Sequence, residues 1–300
     1  MNDNWQNILA EGKQPFNSTE KAHQWLNETR RSEFLLSLPD SETRNQWADT
    51  AVELIHSSNY TLESMMNDRV SEHPDRTLFH DPETEDSRWS YAQVLRQSRR
   101  YAATFINAVD GQPRIAFITP NSLHGAICDI GCLLHGILVM PLSPVIGQEN
   151  LLWVLEKMEV NIVVSGGMDQ HHAAASALEQ FQGEVKHFTL DNFGSGESEN
   201  IIETANKLST SAVDSILDKQ PRFQMDDTAT VLFTSGSTGK PKGVVFTVGN
   251  MVTKRFARAA ALPEVGVDEK LLCFLPLYHT FGRFLEMLGM LFWGGTYVFV

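Results

Sequence analysis

Cysteine is scarce in this chain: Cys128, Cys132 and Cys273 are the three in 300 residues. They are too few and too scattered for a disulfide framework. Each stands in an apolar run, where a free thiol packs as a small hydrophobe, so a reducing compartment is expected. Cys128 and Cys132 lie four apart on an expected helix, but no clustered His or Cys completes a metal site around them. Positive charge is also short, 24 Lys plus Arg against 37 Asp plus Glu, a formal net charge of −13. Such a surface repels phosphodiester backbones, which excludes general nucleic-acid binding. No apolar run reaches membrane length: the longest, 284–300, holds Glu286 and the Gly294-Gly295 break and is short for a span. The opening Met1-Asn-Asp-Asn-Trp-Gln has neither the basic nor the apolar region of a secretory signal. With 42% hydrophobic and 20% charged residues, neither disorder nor a membrane bundle fits. A cytoplasmic protein without a transmembrane segment is expected.

What is present divides into two parts. Residues 1–60 read as a helical extension. Asn17-Ser-Thr-Glu20 offers a capping box, and Asp40 or Ser41 can cap a second helix. In that second helix Trp47, Ala51 and Leu54 recur at i, i+4, i+7, one apolar stripe suited to docking on a larger body. Trp5, Trp25 and Trp47 read as packing anchors. From Leu78 the pattern becomes strand–helix alternation. Ser90-Tyr-Ala-Gln93 is a second capping box, and short apolar runs at Arg114–Ile118, Ile137–Met140 (stopping at Pro141), Asn161–Ser165 and Val185–Leu190 are separated by helical spacings. Strands alternating with helices predict an α/β fold with parallel-rich sheets covered by helices. Asp191–Asn200 reads as an exposed loop.

The segment that carries chemistry is Ala229–Thr247. An apolar β-type run, Ala229–Phe233, leads into the nine polar residues Thr234–Lys242, and a second apolar run, Val244–Thr247, follows. This predicts a tight polar loop between two buried strands. Gly236, Gly239 and Gly243 permit unusual dihedrals and close backbone approach. Thr234, Ser235, Ser237 and Thr238 supply hydroxyl donors, and Lys242 supplies a point charge suited to phosphate oxygens. The loop is not a Walker A motif: Thr234 stands where that pattern needs Gly, and Lys240 is followed by Pro241.

The whole string Phe233-Thr-Ser-Gly-Ser-Thr-Gly-Lys-Pro-Lys-Gly243 resembles the phosphate loop of the AMP-forming adenylating enzymes, the superfamily of acyl-CoA synthetases, luciferases and peptide-synthetase adenylation domains. Asp226-Asp227-Thr228-Ala229, His73-Pro-Asp-Arg76, Trp89-Ser-Tyr91, Pro120-Asn121, Met140-Pro-Leu-Ser-Pro144 and Leu275-Pro-Leu-Tyr-His-Thr-Phe-Gly282 are similar to further family motifs, so the resemblance covers roughly residues 61–300. It implies that Thr234, Ser235, Gly236, Ser237, Thr238, Gly239 and Lys242 hold the β- and γ-phosphates of ATP, while Lys240 falls where the family varies. It places His279 near the reacting carboxylate and α-phosphate. Tyr278 and Phe281 either line the pocket or pack, and Phe284, Leu285, Leu288 and Leu291 read as core. The implied reaction activates a carboxylic acid with ATP and Mg2+ to an acyl-adenylate, then transfers the acyl group to coenzyme A or a carrier-protein thiol. A fatty acid is the expected substrate, given the apolar stretch from Tyr278 to Trp293.

The family's adenine contact, magnesium-binding glutamate, ribose aspartate, hinge and lid lysine have no counterpart before Val300, and Glu286 stands in the wrong context to replace one of them. The expectation is therefore an incomplete AMP-binding domain at 61–300 with the C-terminal lid absent, truncated at an apolar strand that needs a sheet around it and unable to complete either step alone. Two alternatives stay open: a non-catalytic ATP- or phosphate-binding module, and the adenylating part of a carboxylic acid reductase or peptide synthetase. Lys254, Arg255 and Arg258 form a local basic run that reads as either a solvated helix face or an attractor of an anionic cofactor.

Overall fold

A computed structural model describes residues 4–84, 87–193, 198–234 and 240–300. Two sheets organise the chain. The larger comprises β3 (Arg114–Ile118), β4 (Leu138–Leu142), β5 (Ile162–Ser165), β6 (Lys186–Thr189), β7 (Glu199–Asn200), β8 (Thr228–Thr234) and β9 (Lys242–Thr247), in the order β7-β6-β5-β3-β4-β8-β9. All its pairings are parallel except the β8–β9 hairpin. Helices Leu123–Leu134, Gln148–Lys157 and Met168–Gln180 make the crossovers that parallel pairing requires. Along β3 the side chains alternate, Ile115 and Phe117 joining one apolar cluster and Ala116 and Ile118 the other. Both faces of the sheet are thus buried, which is why its strands read as continuous apolar runs.

The smaller sheet, β10 (Lys270–Cys273), β11 (Thr296–Phe299), β1 (Thr77–Asp81) and β2 (Ser87–Ser90), has the order β10-β11-β1-β2. The apolar strand near Val300 finds its sheet here: β11 is paired on both sides, with β1 and β10.

Three expectations are corrected. β4 runs through Pro141 to Leu142. Its registered pair with β8 is Val139–Thr230, so the missing Pro N–H lies beyond that contact. Of the two hairpin strands only β8 is buried. β9 is an edge strand with Val244 and Val245 43% and 55% exposed. Gly243 has ordinary strand backbone without a positive φ. A Cβ there would meet Val231 Cγ1 at 2.9 Å, so close packing is its constraint.

Helices Asn4–Gly12, Thr19–Thr29, Ser32–Ser37 and Ser41–Ser58 form the first sixty residues. The first cap falls at Ser18, one residue later than the expected box, and Asp40 caps the long helix through a 2.7 Å bond from Thr43 N–H. The predicted stripe docks on helix Val248–Ala261, which follows the β8–β9 hairpin: Trp47 lies 5.9 Å from the Phe256 ring, and the Trp47 indole donates to Thr29 Oγ1 at 2.9 Å. Arg30 donates to the Phe292 carbonyl at 2.6 Å and covers its ring. Among the described residues no helix is long and apolar enough to cross a membrane, and the three cysteines are buried and free.

Candidate active site

β3, β4 and β8 are mutually parallel, so their carboxyl ends share one edge of the sheet. β3 has β4 on one side and β5 on the other. The order of the strands therefore switches sides at β3 while their direction stays parallel, and the carboxyl edge at such a switch is where open α/β sheets take their ligands. Three features meet there: Thr234 at the end of β8, paired with Lys242, Asn121 after β3, and the turn Leu275–Thr280.

Of the proposed phosphate-loop residues, Thr234 and Lys242 are described, and Ser235, Gly236, Ser237, Thr238 and Gly239 lie outside the described residues. Thr234 and Lys242 close the hairpin as a cross-strand pair, with Thr234 Oγ1 3.5 Å from the Lys242 carbonyl. The Lys242 side chain is exposed and meets no carboxylate among the described residues. A free ammonium at the mouth of a hydroxyl-rich loop fits a polyphosphate ligand.

The His279 turn is clamped from β3. Asn121 donates through Nδ2 to the Leu275 carbonyl at 2.9 Å and accepts the Leu277 N–H at 2.8 Å. One amide side chain thus satisfies two backbone groups that a turn would otherwise leave orphaned. Leu277 and Tyr278 fill the crevice above β3 and β4, leaving about 30 Å³, and His279 stays exposed at the tip. Phe281–Met287 then coils as a π-helix, a form that recurs at functional sites. Gly282 is obligatory in it: a Cβ would sit 2.5 Å from the Pro276 carbonyl and 2.7 Å from that of Leu275.

A buried network ties the two features together. Arg283, fully buried, grips Asp129 with two bonds of 2.7 and 2.5 Å and donates a third to Thr230 Oγ1 at 2.7 Å. Thr230 in turn donates to the Val139 carbonyl at 2.6 Å, and the Arg283 N–H donates to the His279 carbonyl at 3.1 Å. A fork-on-fork ion pair is the geometry in which a buried guanidinium is best compensated. It spans the π-helix, helix Leu123–Leu134, β4 and β8, so the β8 leg of the hairpin and the His279 turn hang from one network. Sequence reasoning missed both partners. Their signal was present: Asp129 is the one acid in the apolar run Leu123–Leu134, and Arg283 interrupts a greasy segment.

Glu286 donates nothing to the open edge. It is buried, accepts a bond from Tyr297 Oη at 3.0 Å, and burial raises its pKa. The basic run also divides: Lys254 is exposed, Arg258 half-buried and Arg255 buried, so it is not one solvated patch.

A sequence profile of AMP-binding enzymes matches residues 66–300. The chain belongs to the AMP-binding enzyme family. Long-chain-fatty-acid–CoA ligase FadD15 of Mycobacterium bovis is 29% identical over 201 residues, which are 65% of this chain and 32% of that protein. Long chain acyl-CoA synthetase 8 of Arabidopsis thaliana is 25% identical over 204 residues, 64% of this chain and 28% of that one. The chain therefore spans about a third of the length of these curated relatives. Its fold matches the inhibitor-bound N-terminal domain of FACL13 from Mycobacterium tuberculosis, with a TM-score of 0.65 at 21% identity over 80% of this chain and 57% of that chain.

Proposed function

We propose that this chain is the front part of an AMP-forming acid–thiol ligase, with residues 1–60 a helical extension and 61–300 part of its adenylation domain. The observation that carries the reading is the family match over 66–300; the exposed Lys242, which meets no carboxylate among the described residues, supports it. In the first step a carboxylate oxygen attacks the α-phosphorus of ATP, the bond to the β-phosphate oxygen breaks, and pyrophosphate leaves. In the second, a thiol sulfur, that of coenzyme A in the first place or of a carrier protein, attacks the acyl carbon and AMP departs.

Thr234, Ser235, Gly236, Ser237, Thr238, Gly239 and Lys242 are assigned to the β- and γ-phosphates. Their work is positioning and charge stabilisation of the leaving pyrophosphate. His279 is assigned to the meeting point of carboxylate and α-phosphate. Mg2+ enters with the nucleotide and neutralises its charge further; no residue of this chain is assigned to it. The substrate is a fatty acid, a reading supported by the names of the relatives.

The test is acid-dependent exchange of labelled pyrophosphate into ATP by the protein isolated from its native source, with its intact mass measured alongside. Exchange that depends on a carboxylic acid and is lost in Lys242→Ala is the expected result. MgATP binding without exchange for any acid would overturn the ligase reading in favour of a non-catalytic nucleotide-binding module.

A further inference from the structure

A cleft of about 650 Å³ opens between helix Val248–Ala261, β9 and the π-helix. Phe246, Met251 and Phe284 give it apolar walls, while Lys254, Arg255 and Arg258 bring three cations to the same space. No aspartate or glutamate is among the described residues that line it, although the chain holds 37 acids.

The cations are not neutralised from within. Arg255 is 4% exposed and spends one Nη on the Phe284 carbonyl, yet its Nε is buried without a partner among the described residues. Burial lowers the Arg255 pKa to about 9, with the charge of Arg258 adding to it, and Arg258 itself is lowered by burial. These shifts are what cations show when they are desolvated and no anion faces them.

Neither simple class of ligand suits such a wall. A plain alkyl chain would exclude water from two guanidinium groups and give them nothing in return, which is costly. A purely polar ligand would leave the aromatic wall unused. A ligand with an apolar body and a distant anionic group satisfies both halves, and the i, i+1, i+4 spacing of the three cations lets one carboxylate meet a bidentate guanidinium and a second charge.

We propose that this cleft takes an acid with a second anionic group at the far end of its apolar body, an α,ω-dicarboxylic acid, whose distal carboxylate is held by Arg255, Arg258 and Lys254. The proposal rests on the ligase reading and narrows its substrate class. It makes the distal carboxylate, rather than chain length, the main determinant of choice, because sites built to pair a polar group discriminate strongly against analogues that lack it.

The experiment is calorimetric titration of the 300-residue chain with decanedioic acid, decanoic acid, coenzyme A and, separately, MgATP. Decanedioic acid should bind at least about tenfold tighter than decanoic acid. Arg258→Gln, at a half-buried position, and Lys254→Gln, at an exposed one, should each erase that preference. Equal affinity for the two acids, a preference untouched by both variants, or binding of neither acid overturns the proposal. Variant-sensitive binding of coenzyme A with no diacid preference also overturns it and gives the patch to the thiol acceptor. MgATP binding with no diacid preference removes the cleft proposal alone; diacid preference with no MgATP binding removes the ligase reading instead.

Discussion

β8 and β9 are the two legs of one hairpin, both rich in Val, Thr and Phe, yet they live in different surroundings. Ala229, Val231 and Leu232 of β8 are buried between β4 and β9, whereas Val244 and Val245 of β9 face outward on the sheet edge. The composition does not distinguish them; their neighbours do. β8 is further tied at Thr230 to Arg283 and Val139, while the side chain of Lys242, at the start of β9, meets no carboxylate among the described residues. The hairpin has an anchored leg, β8, and an open leg, β9, that carries the charge of Lys242. Stability and ligand binding should therefore separate cleanly between the legs.

The largest effect is expected at the anchor. Arg283→Met leaves Asp129, 7% exposed, as an unpaired buried carboxylate, and should cost about 3–5 kcal/mol of unfolding free energy. Urea unfolding followed by circular dichroism measures it. The double variant Arg283→Met/Asp129→Leu should recover most of the loss, because the penalty lies in the orphaned charge and not in the missing attraction. A single variant as stable as the parent would mean that the anchored leg is held by packing alone.

Lys242→Ala should do the opposite. The side chain is exposed, so stability should change by less than about 0.5 kcal/mol. In the exchange assay adenylate formation should fall by on the order of 3 kcal/mol of barrier, the usual cost of one lost charge-stabilising donor. An unchanged rate would remove the assignment of this hairpin to phosphate binding.

Buried histidines sharpen the comparison through pH. Burial holds His187, whose Nε2 lies 2.9 Å from Ser165 Oγ, down to about 4, and His135 down to about 3. Both folded values lie below the unfolded value, so between about pH 6.5 and 4 the unfolded chain binds protons that the folded chain refuses. Stability should be full above pH 6.5 and fall on acidification by up to about 1.4 kcal/mol per pH unit for each group. His187→Gln should flatten that slope between pH 6.5 and 5; an unaltered slope would show that His187 is protonated in the fold.

How much of this was legible follows the sequence distance between partners. The β3 to β6 strands could be read because each is a short apolar run separated from the next by helical spacing, as β3 is before Pro120-Asn121. The smaller sheet could not, since Phe79 pairs with Tyr297, and no local pattern states such a pairing. The loop and the His279 turn were visible as motifs, but not what holds them: Arg283 finds Asp129, and Asn121 finds Leu275 and Leu277, from 154 to 156 residues away. Arg255 was legible and was misread. It shares the helical stripe of Met251, Val252, Phe256 and Ala259, all buried, so periodicity alone placed it inside.

The smallest effect is the most direct test of the two legs, because it compares one residue type with itself. Val231 on β8 is 3% exposed and Val245 on β9 is 55% exposed, and they form a cross-strand pair. Truncating either to Ala removes the same two methyl carbons and the same β-branch, so the difference reports the surroundings of each leg, edge against interior. Val231→Ala withdraws buried apolar surface and leaves a small void, which should cost about 1.5 kcal/mol. Val245→Ala withdraws groups already largely in water and should stay within about 0.5 kcal/mol. Equal losses in urea unfolding would mean that β9 is covered in solution, and the open leg would have to be redrawn as the inner wall of an interface.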